Sequence, residues 1–230
     1  MDIGTEALTI NGSGTDGNGA LRKGGAGATT YRGSVSLASD STIGVDGDAT
    51  LTLSNTVSGN AILTKTGNGT LALATANTYS GGTILSGGIL NVNANAALGS
   101  GPVTISGAGR IVLGDGVNVG NAFVADVVSP GVLNGLFMVN DNTNGTVTTI
   151  SGPITVNASA ANGGVFVGPI SSGYLNITGK LTNSFTGEIS SRIGNVRFSG
   201  GGDYTVLDIR EGVVSLGAHN GVSTSASLRM

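Results

Sequence analysis

The sequence predicts an all-β fold, a right-handed parallel β-helix (solenoid) with coils of about 20 residues. Two interleaved apolar series support this. Leu51 and Leu53 recur as Leu71 and Leu73, then as Leu90 and Val92, then as Ile111 and Leu113. The second series runs Ile43, Leu63, Ile84, Ile105. Both advance by nearly the same interval at each step. Composition is the third observation. Glycine supplies 42 of 230 residues and charged residues only 10%, against about 7% and 25% in ordinary globular chains. Narrow coils need turns with positive φ and leave little room for charged interiors.

Competing classes fall away on the same numbers. The glycines keep no three-residue period, which excludes collagen. A hydrophobic share of 39% and a mean hydropathy of +0.25 argue against a solvated, disordered chain. Net charge is −3 and the ten Lys and Arg are scattered, so no basic patch offers itself to nucleic acid. Without cysteine there is neither a disulfide framework nor a thiolate metal site. Met1-Asp2-Ile3-Gly4 does not open a signal peptide, since no basic start precedes an apolar run. The most apolar stretch, 123–139, is broken by Asp126, Pro130 and Asn134 and is too short to span a bilayer. No membrane insertion by this segment is expected.

Taken in order, residues 1–33 read as an irregular Gly-rich N-terminal coil or loop, and 34–230 as the β-helix. Ala7 to Ile10 could form a short strand. The run Gly14-Thr15-Asp16-Gly17-Asn18-Gly19 faintly resembles a calcium-binding nonapeptide. The G-G-x-G-x-D pattern is not met and nothing repeats it, so a plain loop is the simpler account. From Ser34 the alternation of half-buried strands sets in, with Val35 and Leu37. Asp40-Ser41, Asp46-Gly47 and Ser58-Gly59-Asn60 supply turns. Helical periodicity fills no window.

The densest stretch runs from Leu63 to Ile105. It holds Leu63-Thr64-Lys65-Thr66-Gly67-Asn68-Gly69-Thr70-Leu71-Ala72-Leu73, then Asn77-Thr78-Tyr79-Ser80-Gly81-Gly82-Thr83, then Gly88-Ile89-Leu90-Asn91-Val92, then Ala97-Leu98-Gly99-Ser100-Gly101-Pro102-Val103. These pieces resemble the autotransporter-associated β-strand repeat, whose pattern is L-T-K-x-G-x-G-x-L-x-L, N-x-Y-x-G-G-T, G-x-L-x-V and A-L-G-x-G-x-V. The resemblance implies a passenger-type β-helix at the bacterial cell surface or outside the cell, exported through the outer membrane. It implies no chemistry. The neutral faces, rich in Ser, Thr and Asn, offer hydrogen bonds, and the partners expected are glycans or host or cell-surface molecules, with neighbouring segments of a longer chain.

Residues 114–145 disturb the rhythm with Pro130, the cluster Phe137, Met138 and Val139, and the run Asn140-Asp141-Asn142-Thr143-Asn144. They read as an irregular insertion or longer coil. Afterwards the period returns: Ile154 and Val156 lead to Leu175 and Ile177, then to Val196 and Phe198. A companion series runs Val165, Phe185, Val206. The charges Asp208, Arg210 and Glu211 suit a terminal cap or rim.

Enzymes also use this fold, and glycosidases place two carboxylates about 5 to 10 Å apart on one face. Asp46 and Asp48 are the one acidic pair at i, i+2, and the turn Val45-Asp46-Gly47-Asp48-Ala49 explains both. Asp208 and Glu211 flank Arg210 as a solvated cluster. The single histidine, His219, lies in a turn-like stretch, and one histidine without cysteine makes no metal cluster. Lys65 belongs to the repeat pattern, so a surface or corner place is expected, not that of a base. Asn77, Asn91 and Asn93 suit turns and side-chain ladders between coils. The triplets Asn157-Ala158-Ser159 and Asn176-Ile177-Thr178 follow from composition alone. The expectation is therefore a non-catalytic display or adhesive segment with no catalytic residue, cofactor or metal. The alternative is a carbohydrate-active β-helix enzyme, a polysaccharide lyase or glycoside hydrolase.

Overall fold

The computed structural model describes residues 2–126, 137–139, 145–157, 166–168, 173–183, 188–191, 194–200, 202–203, 206–209, 213–216 and 227–229. Every strand among them is short or bent at a corner, no helix occurs, and the strands pair in parallel. The chain is a parallel β-solenoid that divides into two compact units, Met1–Gly109 and Arg110–Met230.

In the first unit each coil has three sides. The first side stacks Asp2–Ile3, Gly27–Tyr31, Ala49–Leu53, Thr70–Leu73 and Ile89–Val92. Strand Val35–Val45 turns a corner and serves both remaining sides. Its first half pairs with Leu8–Gly12 and Val57–Ser58 on the second side. Its second half pairs with Leu21–Lys23 and Leu63–Thr66 on the third, followed by Thr83–Leu85 and Val103–Ser106. The Gly-rich start of the chain thus holds strands on all three sides. Beyond Val57–Ser58 the second side has no ladder. Residues 77–80 and 96–100 hold it by single bonds, Thr78 N–H to Val57 O (2.9 Å), Ser80 N–H to Gly59 O (3.0 Å) and Ser100 N–H to Tyr79 O (3.1 Å).

The interior follows from alternation, since inward residues lie two apart. Leu51, Leu71 and Leu90 are register partners, and so are Leu53, Leu73 and Val92, as the first apolar series predicts. The second series does not hold. The third side stacks Ser41, Leu63, Thr83 and Val103 in one inward column, and Ile43, Lys65, Leu85 and Ile105 in the next. Ile84 faces outward between Thr64 and Thr104. The corner before Thr83 demands glycine: Gly82 has φ 106°, and a Cβ there would stand 2.6 Å from Pro102 O.

The second unit also has three sides. The first stacks Arg110–Leu113, Phe137–Val139, Phe166–Val167, Glu188–Ser191, Val206–Ile209 and Ser227–Arg229. The second is a full sheet of Asn118–Val119, Val147–Ile150, Tyr174–Ile177, Asn195–Phe198 and Val213–Leu216. The third holds Phe123–Asp126, Ile154–Val156, Leu181–Asn183 and Gly202–Asp203. Its core includes Phe123 and Phe137, edge to face with ring centres 5.1 Å apart.

Coil length varies within both units. In the first, Leu71 stacks on Leu51 and Thr83 on Leu63 at the short period of the sequence, whereas Val35 stacks on Leu8 by a longer step. In the second, Phe137 stacks on Ile111, Ile154 on Phe123 and Leu175 on Thr148, and every one of these steps is longer than that from Leu51 to Leu71. The step from Phe123 to Ile154 is half as long again. One sequence series is corrected here. Ile154 and Val156 belong to the third side, whereas Leu175 and Ile177 belong to the second and stack on Thr148 and Ile150. The later step to Val196 and Phe198 holds. Of the stretch 114–145, residues 127–136 and 140–144 lie outside the described residues, as do Val165 and Phe185.

Candidate functional site

The residues that carry the repeat pattern are brought together inside the first unit. Leu63 and Lys65 lie two apart on one strand, so both point inward, and Lys65 is fully buried (0% exposed). Of the surface or corner place expected for it, the surface is corrected by this burial and the corner is where its ammonium lies. Its stem joins the column of Ile43, Leu85 and Ile105, and its ammonium finishes at the corner. There Nζ donates to Thr66 O (2.7 Å), Gly67 O (2.8 Å) and Gly87 O (3.3 Å). Tight turns leave carbonyls that no ladder reaches, and a lysine with three donors satisfies them. Lys23 makes the same local arrangement at an exposed corner, donating to Gly24 O (2.6 Å) and Gly25 O (2.9 Å). Burial lowers the Lys65 ammonium from 10.5 to about 8, with Asp46 opposing the shift by its negative charge.

Asn77 does on the second side what a ladder would do elsewhere. Its Oδ1 accepts the Val57 N–H of the coil before (2.7 Å), and its Nδ2 donates to Ala97 O of the coil after (2.5 Å). Both bonds are buried and join side chain to backbone, where turns and side-chain ladders are expected from the sequence. Tyr79 is fully buried too, with its phenol 2.6 Å from Thr83 Oγ1. Burial raises its ionisation, and the Thr83 hydrogen bond opposes the rise. Lys65, Asn77, Tyr79 and Thr83 therefore use their polar atoms on the protein's own backbone and on each other. All four are buried.

Of the acidic residues singled out in the sequence, Asp16 and Asp46 are engaged within the protein, while Asp48 is exposed in its turn. Asp46 Oδ2 accepts from Arg22 Nε (3.1 Å) and NH2 (2.7 Å). Asp16 Oδ2 takes Arg22 NH1 (3.1 Å), and its Oδ1 takes the Asn18 N–H (3.0 Å). Hydrogen bonding from Asn18, helped by the Arg22 charge, holds the Asp16 carboxyl below the ordinary range. One guanidinium so ties the Gly14–Gly19 loop to the corner of the next coil. No group of three metal-ligating side chains occurs among the described residues. The Asp208 side chain, Arg210, Glu211 and His219 lie outside the described residues.

With this geometry in view, the likeness to known proteins has a physical content. Residues 63–92 match the passenger-associated-transport-repeat family. That span contains Lys65, Asn77, Tyr79 and Thr83, so the repeat's pattern records how one coil is tied to the next. The chain is also similar to the Adhesin BmaC autotransporter of Brucella suis biovar 1 (strain 1330), at 32% identity over 187 residues, 80% of this chain. It spans about 5% of that adhesin's length. No solved structure matches it. Sequence alone missed the burial of Lys65. The signal was its position two residues from Leu63 on a strand whose other inward residue is apolar.

Proposed function

We propose that the chain is a non-catalytic display segment of a surface-exposed, autotransporter-type protein, and that it supports adhesion. One observation carries this. The polar residues of the passenger-associated-transport repeat are spent on internal ties, and the outward positions beside them on the third side are mostly threonine. Along the third side of the first unit the outward positions are Thr42, Thr64, Ile84 and Thr104. A solenoid of this kind presents a regular, repeating surface. Export through the outer membrane and display outside the cell belong to the same proposal. The similarity to an adhesin supports it.

The test is expression of the intact gene with an epitope placed in the turn at Asn68, followed by protease shaving of whole cells and a cell-binding assay. Protease-sensitive epitope on intact cells and adherence lost on deletion of the segment are expected. An epitope released only after lysis would contradict the display role.

A further inference from the structure

Val147 (48% exposed) and Tyr174 (37%) are the exposed large hydrophobics of the described residues, and they are direct register partners on the second side of the second unit. Alternation makes their neighbours two along outward as well: Thr149, Asn176 and Arg197, which stand opposite one another across three strands. Asn195 completes the row beside Tyr174, with its amide committed to Gly173 O (3.0 Å). Together they form a grid two strand gaps wide and two residues deep, roughly 10 Å by 7 Å.

The chemistry left open on this grid is specific. The Asn176 carbonyl accepts from Ser199 Oγ (3.1 Å), while its amide hydrogens have no protein acceptor among the described residues. The Tyr174 hydroxyl and the Arg197 guanidinium also have no protein partner among the described residues. No Asp or Glu stands among the described outward residues of these strands. An exposed aromatic platform beside uncommitted amide and guanidinium donors is the composition of recognition surfaces. The grid is too small for a stable protein interface, which covers about 800 Å² on each partner. It is large enough for a sugar ring lying on Tyr174 with an acidic group on Arg197.

We infer that this face, formed by Val147, Thr149, Tyr174, Asn176, Asn195 and Arg197, is a binding site for a glycan bearing a carboxylated sugar. The inference deepens the adhesive role proposed above and rests on it. The ring's apolar face packs on Tyr174. The carboxylate takes the Arg197 fork, for which a planar guanidinium is suited. Asn176 donates to a ring hydroxyl.

The experiment titrates the full chain with sialyllactose, with lactose as the neutral control, and follows backbone amides of the three strands by NMR. Sialyllactose should shift amides of 147–149, 174–176 and 195–197, with lactose weaker by about tenfold or more. Arg197→Ala and Tyr174→Ala should each weaken binding by about tenfold or more with an unchanged urea midpoint, and Arg197→Lys should weaken it less. Equal binding of both sugars, shifts confined to other strands, or wild-type affinity in Arg197→Ala would each overturn the site. A cell-binding assay separates the two levels. Adherence that survives both Arg197→Ala and sialidase treatment of the target cells removes this site and leaves the adhesive role standing. Adherence lost in Arg197→Ala but insensitive both to sialidase and to lyases that remove uronic-acid glycans reassigns the face to a protein partner and overturns the glycan. Absence of adherence by the wild-type segment removes the adhesive role itself, and the titration still judges the grid.

Discussion

The second sides of the two units solve one problem in two ways. In Arg110–Met230 the side is a ladder of five strands, and backbone amides join each coil to the next. In Met1–Gly109 the ladder stops at Val57–Ser58, and the following coils are joined by single backbone bonds and by the Asn77 side chain. Coil length alone does not set the difference: Val196 stacks on Leu175, and Val214 on Val196, at steps about as short as that from Leu51 to Leu71, and these coils keep a strand on the second side. The lesson is that a coil without a strand on its second side moves its hydrogen bonding there from backbone to side chain, so its sequence becomes a recognisable pattern. The laddered coils need only apolar alternation, and any suitable hydrophobe serves.

The largest effect should come from Leu71→Asp. A carboxylate in the fully buried column of Leu51, Leu71 and Leu90 has no partner. A loss of about 4 kcal/mol or more is expected from urea unfolding. A wild-type midpoint would contradict the inward assignment. Lys65→Met comes next. It keeps the stem in the column and strands the carbonyls of Thr66, Gly67 and Gly87, at a cost of about 2 kcal/mol near neutral pH.

The same substitution sharpens the comparison through pH. Folded Lys65 loses its proton near 8, whereas the unfolded chain holds it to 10.5. Below 8 both states are protonated and the burial penalty is present in full. Between about 8 and 10.5 the unfolded state binds more protons, so stability rises with pH. Tyr79 acts oppositely: its folded ionisation lies above the ordinary 10.0, so above 10 the unfolded chain ionises first and stability falls. The urea midpoint of the first unit should thus climb from about pH 8 to about pH 10 and then turn down. Lys65→Met should lack the climb and Tyr79→Phe the steepest part of the fall. A midpoint independent of pH across this window would contradict both assignments. Tyr79→Phe itself is the smallest change, about 1 kcal/mol for the hydrogen bond to Thr83.

Legibility followed the same division. The column Leu51, Leu71, Leu90 could be read because all its members are apolar and the coils keep one length. The neighbouring columns contain Ser41, Lys65 and Thr83, each inward and each polar, so the eye slips to Ile84, which faces out. Polar inward residues are where coil ties live, so apolar alternation fails at the positions the repeat pattern marks. In the second unit the error had another source. The separation of Ile154 from Leu175 is close to one coil of the first unit, yet the coil there runs from Thr148 to Leu175, and the shorter step lands on a different side. Three sides bearing similar apolar pairs make a fixed step ambiguous once coil length varies. The grid around Tyr174 was not legible at all, because it depends on register between strands that lie a whole coil apart in sequence.

The most direct measurement is amide hydrogen exchange of Val57, Leu71 and Leu175 in the wild type and in Asn77→Ala. If the Asn77 side chain replaces a ladder, the substitution removes the acceptor of the Val57 N–H. Protection at Val57 should then fall by about tenfold or more, with Leu175, in the laddered unit, unchanged and Leu71 little affected. Unaltered protection at Val57 would contradict the account that the Asn77 side chain stands in for the missing ladder on the second side of these coils.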